Sequence, residues 1–316
     1  MPDSPNDVVV IGCVGIDTNV YSNDQDIDFN IEGYYTENID YISHPGAFAS
    51  RGYTRLGRRA AFLGHVGNDF CGRYIQEEFR RDGIDTRALF IDPAGTNRSV
   101  NFMLRDGQRR NFYDGKGHMN LHLDLATCRA VMSGARLAHF NIPNWARELL
   151  PVAREMGVVI ACDIQDIKDP EDAYRQDFIE QADVLFFSAT KCSDPASFMR
   201  QCIARKPGQI VISGMGSMGC MMGTSKGIVR YTAVELDLPV IDSNGAGDSL
   251  AVGFLNSHFF EGYSLEDSIL RGQIAARYAC TQKASSSTLI SLEQLEREYA
   301  FLKGELVPAV PSRSTI

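Results

Sequence analysis

The period of the apolar positions changes several times along the chain, and each change predicts an element. Val8 to Cys13 is a continuous run rich in β-branched residues, the pattern of a strand buried on both faces. Gly46 to Gly57 reads as a helix and Ala60 to Leu63 as a strand. Gly64 to Asp69 reads as a turn, and Phe70 to Asp82 as an amphipathic helix stopped by Gly83. Residues 18 to 43 are polar and aromatic without helical period (Tyr21, Phe29, Tyr34, Tyr35 and Tyr41 among acids and asparagines), which suits extended segments of a small lid. Ser99 to Leu104 and Arg109 to Tyr113 predict a β-hairpin around Asp106-Gly107.

Beyond residue 120 short apolar runs alternate with helical stretches. Strands are predicted at Arg136–Phe140, Val158–Asp163, Val184–Phe187 and Gln209–Ser213. Helices are predicted at Trp145–Met156, Asp172–Gln181 and Pro195–Ala204, then at Ser264–Cys280 and Leu292–Leu302. Such alternation implies β-α-β units, hence an α/β fold with a central, mostly parallel sheet flanked by helices. No internal repeat or linker divides residues 1–316, so one domain is expected. Val307 to Ile316, with two prolines, reads as a loosely attached tail.

Composition narrows the function. Apolar residues make up 44 % and charged residues 22 % of the chain, ordinary values for a globular protein. A net charge of −9 argues against a nucleic-acid footprint, and requires any nucleotide site to offset the field locally. Eight cysteines stand without a Cys-x-x-Cys pair, so zinc is not expected and a reducing, cytoplasmic compartment is. The start lacks a basic region followed by an apolar core, so no signal peptide is read, and no apolar run reaches membrane-spanning length.

The chemistry concentrates at Asp242-Ser-Asn-Gly-Ala-Gly-Asp248. Gly245, Ala246 and Gly247 are small residues opening a helix, whose free N–H groups and positive end bind anions, phosphate above all. Asp248 would repel a phosphate unless a hydroxyl must lose its proton there while attacking a phosphoryl group. A simple N-terminal cap is the plainer alternative. Asp17, just past the first strand, lies where open α/β sheets bind ligands, and can hold substrate hydroxyls or serve as a turn Asp.

Gly245-Ala-Gly-Asp248, with Asp242 before it and Gly253-Phe254 after it, resembles the C-terminal signature of the PfkB, or ribokinase-like, sugar and nucleoside kinases. The resemblance runs from the first strand to about residue 300. It implies ATP with Mg2+, and K+ near Asp242 as a monovalent-cation ligand. It also implies substrate contacts at Asp17, Gly46 and Asn101, with a lid built from residues 18–43 and 97–114 whose outer face often pairs two subunits as a homodimer. Gly216 and Gly219, in Gly214-Met-Gly-Ser-Met-Gly219, match a segment lying along ATP. Read alone, that stretch fits the letter of a dinucleotide motif, but a hairpin rather than a helix is predicted to follow it.

Three departures stand out. Ser43-His44 replaces the family's Gly-Gly pair, and Phe48 replaces an Asn that touches sugar. Ser188 and Lys191 occupy the positions of Asn-x-x-Glu, which organises Mg2+ and phosphate; Lys191 reads either as a phosphate contact or as a surface lysine. The basic run Arg51, Arg55, Arg58 and Arg59 reads as a solvated helix face or as a grip on a phosphorylated sugar. The expected function is ATP-dependent phosphorylation of a sugar hydroxyl. A nucleoside kinase, with Phe48 and the lid tyrosines as a base slot, and a ligand-binding protein without turnover are the alternatives.

Overall fold

The computed structural model describes residues 5–22, 28, 30–104 and 109–304. Phe29, the expected Asp106-Gly107 turn and the Val307–Ile316 tail lie outside them. Thirteen strands and nine α-helices alternate along the described chain: β1 (Val8–Ile11), β2 (Gly15–Ser22), β3 (Thr36–Ser43), α1 (Pro45–Arg55), β4 (Ala60–Gly67), α2 (Phe70–Arg81), β5 (Asp85–Asp92), β6 (Asn97–Met103), β7 (Arg109–Asp114), α3 (Leu125–Met132), β8 (Leu137–Phe140), α4 (Leu150–Glu155), β9 (Val159–Asp166), α5 (Gln176–Gln181), β10 (Val184–Ser188), α6 (Pro195–Arg205), β11 (Ile210–Gly214), β12 (Cys220–Thr224), β13 (Gly227–Tyr231), α7 (Ala246–Leu255), α8 (Leu265–Ala279) and α9 (Leu292–Leu302).

Nine strands form the main sheet in the order β13-β12-β11-β10-β9-β8-β1-β4-β5. It is parallel from β5 to β11, and β12 and β13 add an antiparallel edge. The chain runs outward from β1 through β4 to β5, then returns to β8 on the other side of β1. The strand order therefore reverses at β1, and ligands of open α/β sheets bind at the carboxyl ends of strands near such a point. Alternate residues of β1 feed opposite cores. Val8 and Val10 pack beneath α1, α2, α7, α8 and α9, whereas Val9 and Ile11 face α3 to α6. Gly253 and Gly272 bring α7 and α8 together; a β-carbon on Gly253 would stand 2.9 Å from the Gly272 Cα.

A second sheet, β3-β2-β6-β7, carries the two segments expected to form the lid. The β2–β6 pair is parallel and the outer pairs are antiparallel. Its register sets Asp17, Asn19 and Tyr21 beside Ser99, Asn101 and Met103, and these in turn beside Tyr113, Asn111 and Arg109. Side chains alternate across a strand, so these nine share one face.

Several expected boundaries move. The Gly64–Asp69 turn is absent, because Gly64 to Gly67 continue β4. A β-carbon on Gly64 would come within 2.6 Å of the Gly12 carbonyl, so the glycine marks a close approach rather than a break. Trp145–Met156 divides into a 3-10 segment, Asn144–Leu149, and α4, because Pro151 lacks an N–H and sits only in a first turn. The Asp172 end of α5 is lost to turns, in which Asp169 and Asp172 accept from Glu171 N and Tyr174 N at 3.0 Å. The strand β5 and the helix α3 were not anticipated.

The basic run is only in part the expected solvated face: Arg55 and Arg59 are exposed, Arg58 is half-buried, and all four arginines are bound within the protein. Arg51 is buried and pairs with Asp82 at 2.7 Å, while Arg55 donates to the Leu289 carbonyl. Arg58 binds Asn256 and Glu261, and Arg59 binds Asp7.

Candidate active site

The site is built on the start of α7. Gly245 has φ +77°, a left-handed conformation that favours glycine. Its missing side chain also admits Phe48, whose ring a β-carbon would strike. Phe48 is therefore packed against the glycine turn and edge-on to Tyr41. Among the described residues no main-chain carbonyl accepts from the Gly245 or Gly247 amide, and the space over Gly247 is open. Ala246 N–H, expected as a third free donor, spends itself on Ser243 O at a long 3.3 Å.

Asp248 lies in the first turn of α7, half-buried. Burial, and then the negative charge of Asp163, push its carboxyl well above the usual carboxylate range, although its own backbone N–H and Arg109 pull the other way. Asp163, near the carboxyl end of β9, is likewise raised by burial. Two carboxyls in one field do not ionise independently, so the pair titrates as a unit. Asp163 Oδ1 accepts from Gln165 N at 2.8 Å across an irregularity of β9 in which Gln165 has φ +58°.

Next to this pair, Asp166 and Lys191 form an ion pair at 2.8 Å. The Asp166 carboxyl, raised by burial, is held below its ordinary value by Lys191 and Ser188. Lys191 is thus an exposed lysine, but one paired with a carboxylate. Asp166 and Lys191 line a cleft of about 550 Å³ with Lys168, Asp169 and Asp172. Gly216 and Gly219 follow β11 in a 3-10 turn that leads into β12 without a helix, which rules out the dinucleotide motif. Gly219, at φ +91°, is required because a side chain would strike Tyr231 O.

The inner face of the small sheet carries a continuous polar chain. Asn111 donates to Asn101 at 2.8 Å. Asn101 donates to Asp17 and Asn19, both at 2.9 Å. Asn19 donates to Asp242 at 3.1 Å, and Tyr21 O–H donates to the same oxygen at 2.8 Å. Asp242 also accepts from Asn244 N at 2.9 Å and Ala284 N at 3.4 Å. Both its oxygens are engaged, and the residue is only 3 % exposed. The small sheet is thereby tied to the loop that leads into α7, and Arg109 of β7 adds a bond to Asn244. Burial pushes the Asp17 carboxyl up, but His44, Asn101 and Ser43 bring it below its ordinary value. Gly46 does not join this cluster. Its amide donates to Cys13 O at 2.9 Å, and its bare Cα lets α1 seat against β1.

Residues 46–291 match the model of the pfkB family of carbohydrate kinases. The chain belongs to that family. As a carbohydrate kinase it transfers a phosphoryl group from ATP to a sugar hydroxyl. It is similar to an acarbose 7(IV)-phosphotransferase from an Actinoplanes species, 30 % identical over 93 % of this chain and 98 % of that one. It is 24 % identical to a 5-dehydro-2-deoxygluconokinase of Geobacillus thermodenitrificans over 95 % and 94 % of the two chains. Among solved structures, a microbiome-derived acarbose kinase superposes with a TM-score of 0.86 at 28 % identity, covering 94 % of this chain and all of that one. Arabidopsis thaliana ribokinase, complexed with ribose and ATP, shares the fold at TM-score 0.78 and 17 % identity, over 94 % of this chain and 99 % of the other.

The family's ATP is used with Mg2+. Among the described residues no three His, Cys, Asp or Glu side chains gather as a metal site. An Mg2+ ion held chiefly by ATP phosphates takes one or two carboxylates from the protein, and Asp163 and Asp166, at the carboxyl end of β9, would supply them. Such an ion neutralises phosphate charge.

Four of the residues that shape the site were not predicted to do so: Asp163, Asp166, Arg109 and His44. The two aspartates carried a usable signal. They stand at the carboxyl end of a predicted strand, the rule already applied to Asp17. Arg109 had none, because only the folded hairpin brings it to Asn244.

Proposed function

We propose that Asp248 is the general base of the phosphoryl transfer and that the Gly245 and Gly247 amides stabilise the transferring group. One observation carries this reading. A half-buried carboxyl with raised proton affinity sits in the first helical turn, directly after two uncommitted glycine amides. A base tuned toward neutral pH accepts a hydroxyl proton and releases it readily. Fixed amides at a helix start gain strength as charge moves onto phosphate oxygens. Lys191 and Ser188, with Gly216 and Gly219, flank the path of ATP.

The acceptor is held against the small sheet, with Asp17 and Asn101 binding its hydroxyls. Three amide side chains in a row, Asn19, Asn101 and Asn111, suit a polyhydroxylated ligand. An aromatic slot for a nucleobase has less support, since Phe48 is packed on Gly245 and Tyr21 O–H is bound to Asp242. Acarbose or a comparable amino-sugar oligosaccharide is the acceptor we favour, because the 30 % identical relative is named for it. The lid anchor is the role that the Asp242 geometry supports over a K+ ligand. A homodimer through the outer face of the lid is supported by Phe112, half-exposed and edge-on to Phe102. A cytoplasmic site of action is supported by eight cysteines, none in a disulfide.

The test is ADP release with Mg2+-ATP against acarbose, D-fructose, D-ribose and adenosine, with and without K+. Turnover of acarbose above the others supports the reading. Preference for adenosine overturns the acceptor class.

A further inference from the structure

His44 stands where the backbone turns from β3 into α1, at φ +73° and ψ 158°. This region is almost reserved for glycine, and a side chain there persists only when something else holds it. The helix gives no reason, since His44 makes no side-chain cap bond. Yet the ring is enclosed and the residue only 8 % exposed. It lies edge-on to Tyr113 at 5.6 Å, and a β-carbon on Gly15 would stand 2.6 Å from Cε1.

What the ring faces is Asp17. Nε2 lies 3.0 Å from Asp17 Oδ1 and 3.3 Å from Ser99 Oγ. Asp17 Oδ2 is filled by Ser43 at 3.0 Å and Asn101 at 2.9 Å. Asp17 Oδ1 therefore has its ion-pair partner in Nε2, whereas His44 Nδ1, also buried, has no hydrogen-bond partner among the described residues. A buried polar atom without a partner is uncommon in a folded protein, because it forfeits its water. A ligand hydroxyl satisfies it.

We propose that His44 is a specificity-determining contact for the acceptor sugar, presenting Nδ1 to one hydroxyl while Asp17 Oδ1 accepts from another. The inference rests on Asp17 being the sugar-binding carboxylate. The ring would then be kept at a glycine position because the ligand uses it.

His44→Gly separates this from a structural role. Glycine relieves the backbone, so the melting temperature of the variant should equal or exceed that of the wild type. The KM for the best wild-type acceptor among acarbose, D-fructose and D-ribose should rise about 10- to 100-fold, the size of one lost hydrogen bond to a charged or well-fixed group. The KM for Mg2+-ATP should stay at the wild-type value. His44→Asn, which tolerates positive φ and keeps a polar head, should recover part of the loss. A lowered melting temperature, or a rise in both KM values together, would show the ring to be structural and overturn the proposal. Asp17→Asn distinguishes the two levels. If it leaves the sugar KM unchanged, the placement of the acceptor fails and the His44 role with it. If it raises the sugar KM while His44→Gly does not, the His44 role alone fails. If the wild type turns over none of the three sugars, the acceptor class falls, and the melting temperature decides His44.

Discussion

Replacing Asp248 with Asn removes the proposed base while leaving the first turn of α7 in place. The Gly245 and Gly247 amides do not depend on the carboxylate, so the proposed anion hole should survive and only proton transfer be lost. A positioned base contributes ~10²–10⁴-fold. With the hole intact we expect kcat to fall at least ~100-fold, about 2.7 kcal/mol of barrier. The pH profile sharpens the test. Burial and Asp163 push the Asp248 carboxyl up to about 8 in the ligand-free chain, so wild-type kcat/KM should climb with pH through that region. The residual activity of Asp248→Asn should lack this limb. Stability has the opposite sign. Between the ordinary carboxylate value and the raised one, the folded chain holds a proton that the unfolded chain has released. Wild-type stability therefore falls as pH rises through that window. Asp248→Asn has no such proton to lose, so its melting temperature should gain on the wild type from pH 5 to pH 8. Coupled ADP-release rates and thermal melts across pH 5–9 read both. A kcat within threefold of wild type, or a limb that persists in the variant, would refute the base assignment.

Gly245→Ala must adopt left-handed backbone, at about 1–2 kcal/mol, and force Phe48 aside, at roughly 1–3 kcal/mol more. Thermal melts should show that loss, and Gly247→Ala, with open space above it, should melt near wild type while losing turnover. Arg109→Ala removes a positive charge that lowers the Asp248 proton affinity, so the ascending limb of kcat/KM should move to higher pH. Asp242→Asn should weaken the lid anchor and raise the sugar KM. Wild-type activity, measured in Na+ and K+ buffers, should be the same, because the Asp242 oxygens are already occupied.

The parallel sheet was legible because its strands are nearly uninterrupted apolar runs, and Val8–Ile11 is buried along its whole length. The start of α7 was legible because glycines followed by an acid and an apolar helix form a local signal. Two kinds of feature were not. β5 is an edge strand whose apolar run, Ala88–Ile91, is short and bounded by Arg87 and Asp92, so it reads as weakly as a loop. The Asp163–Asp248 coupling and the Asp17–Asn101–Asn19–Asp242 chain join residues that are distant in sequence, and no periodicity encodes such a meeting. Phe48 shows the limit of matching by position. The residue occupies the place of a sugar contact, but its size sent it to fill the gap beside Gly245.

The Asp242 anchor constrains how this enzyme can be recombined. A chimera taking its first hundred residues from one relative and its last hundred from another would inherit Asn19 and Tyr21 from one parent and the loop before α7 from the other. Unless the carboxylate and its donors travel together, the hybrid buries a charge that neither parent left unpaired. Acceptor preference in this scaffold should therefore be easier to alter by changing single side chains on the inner face than by exchanging whole strands.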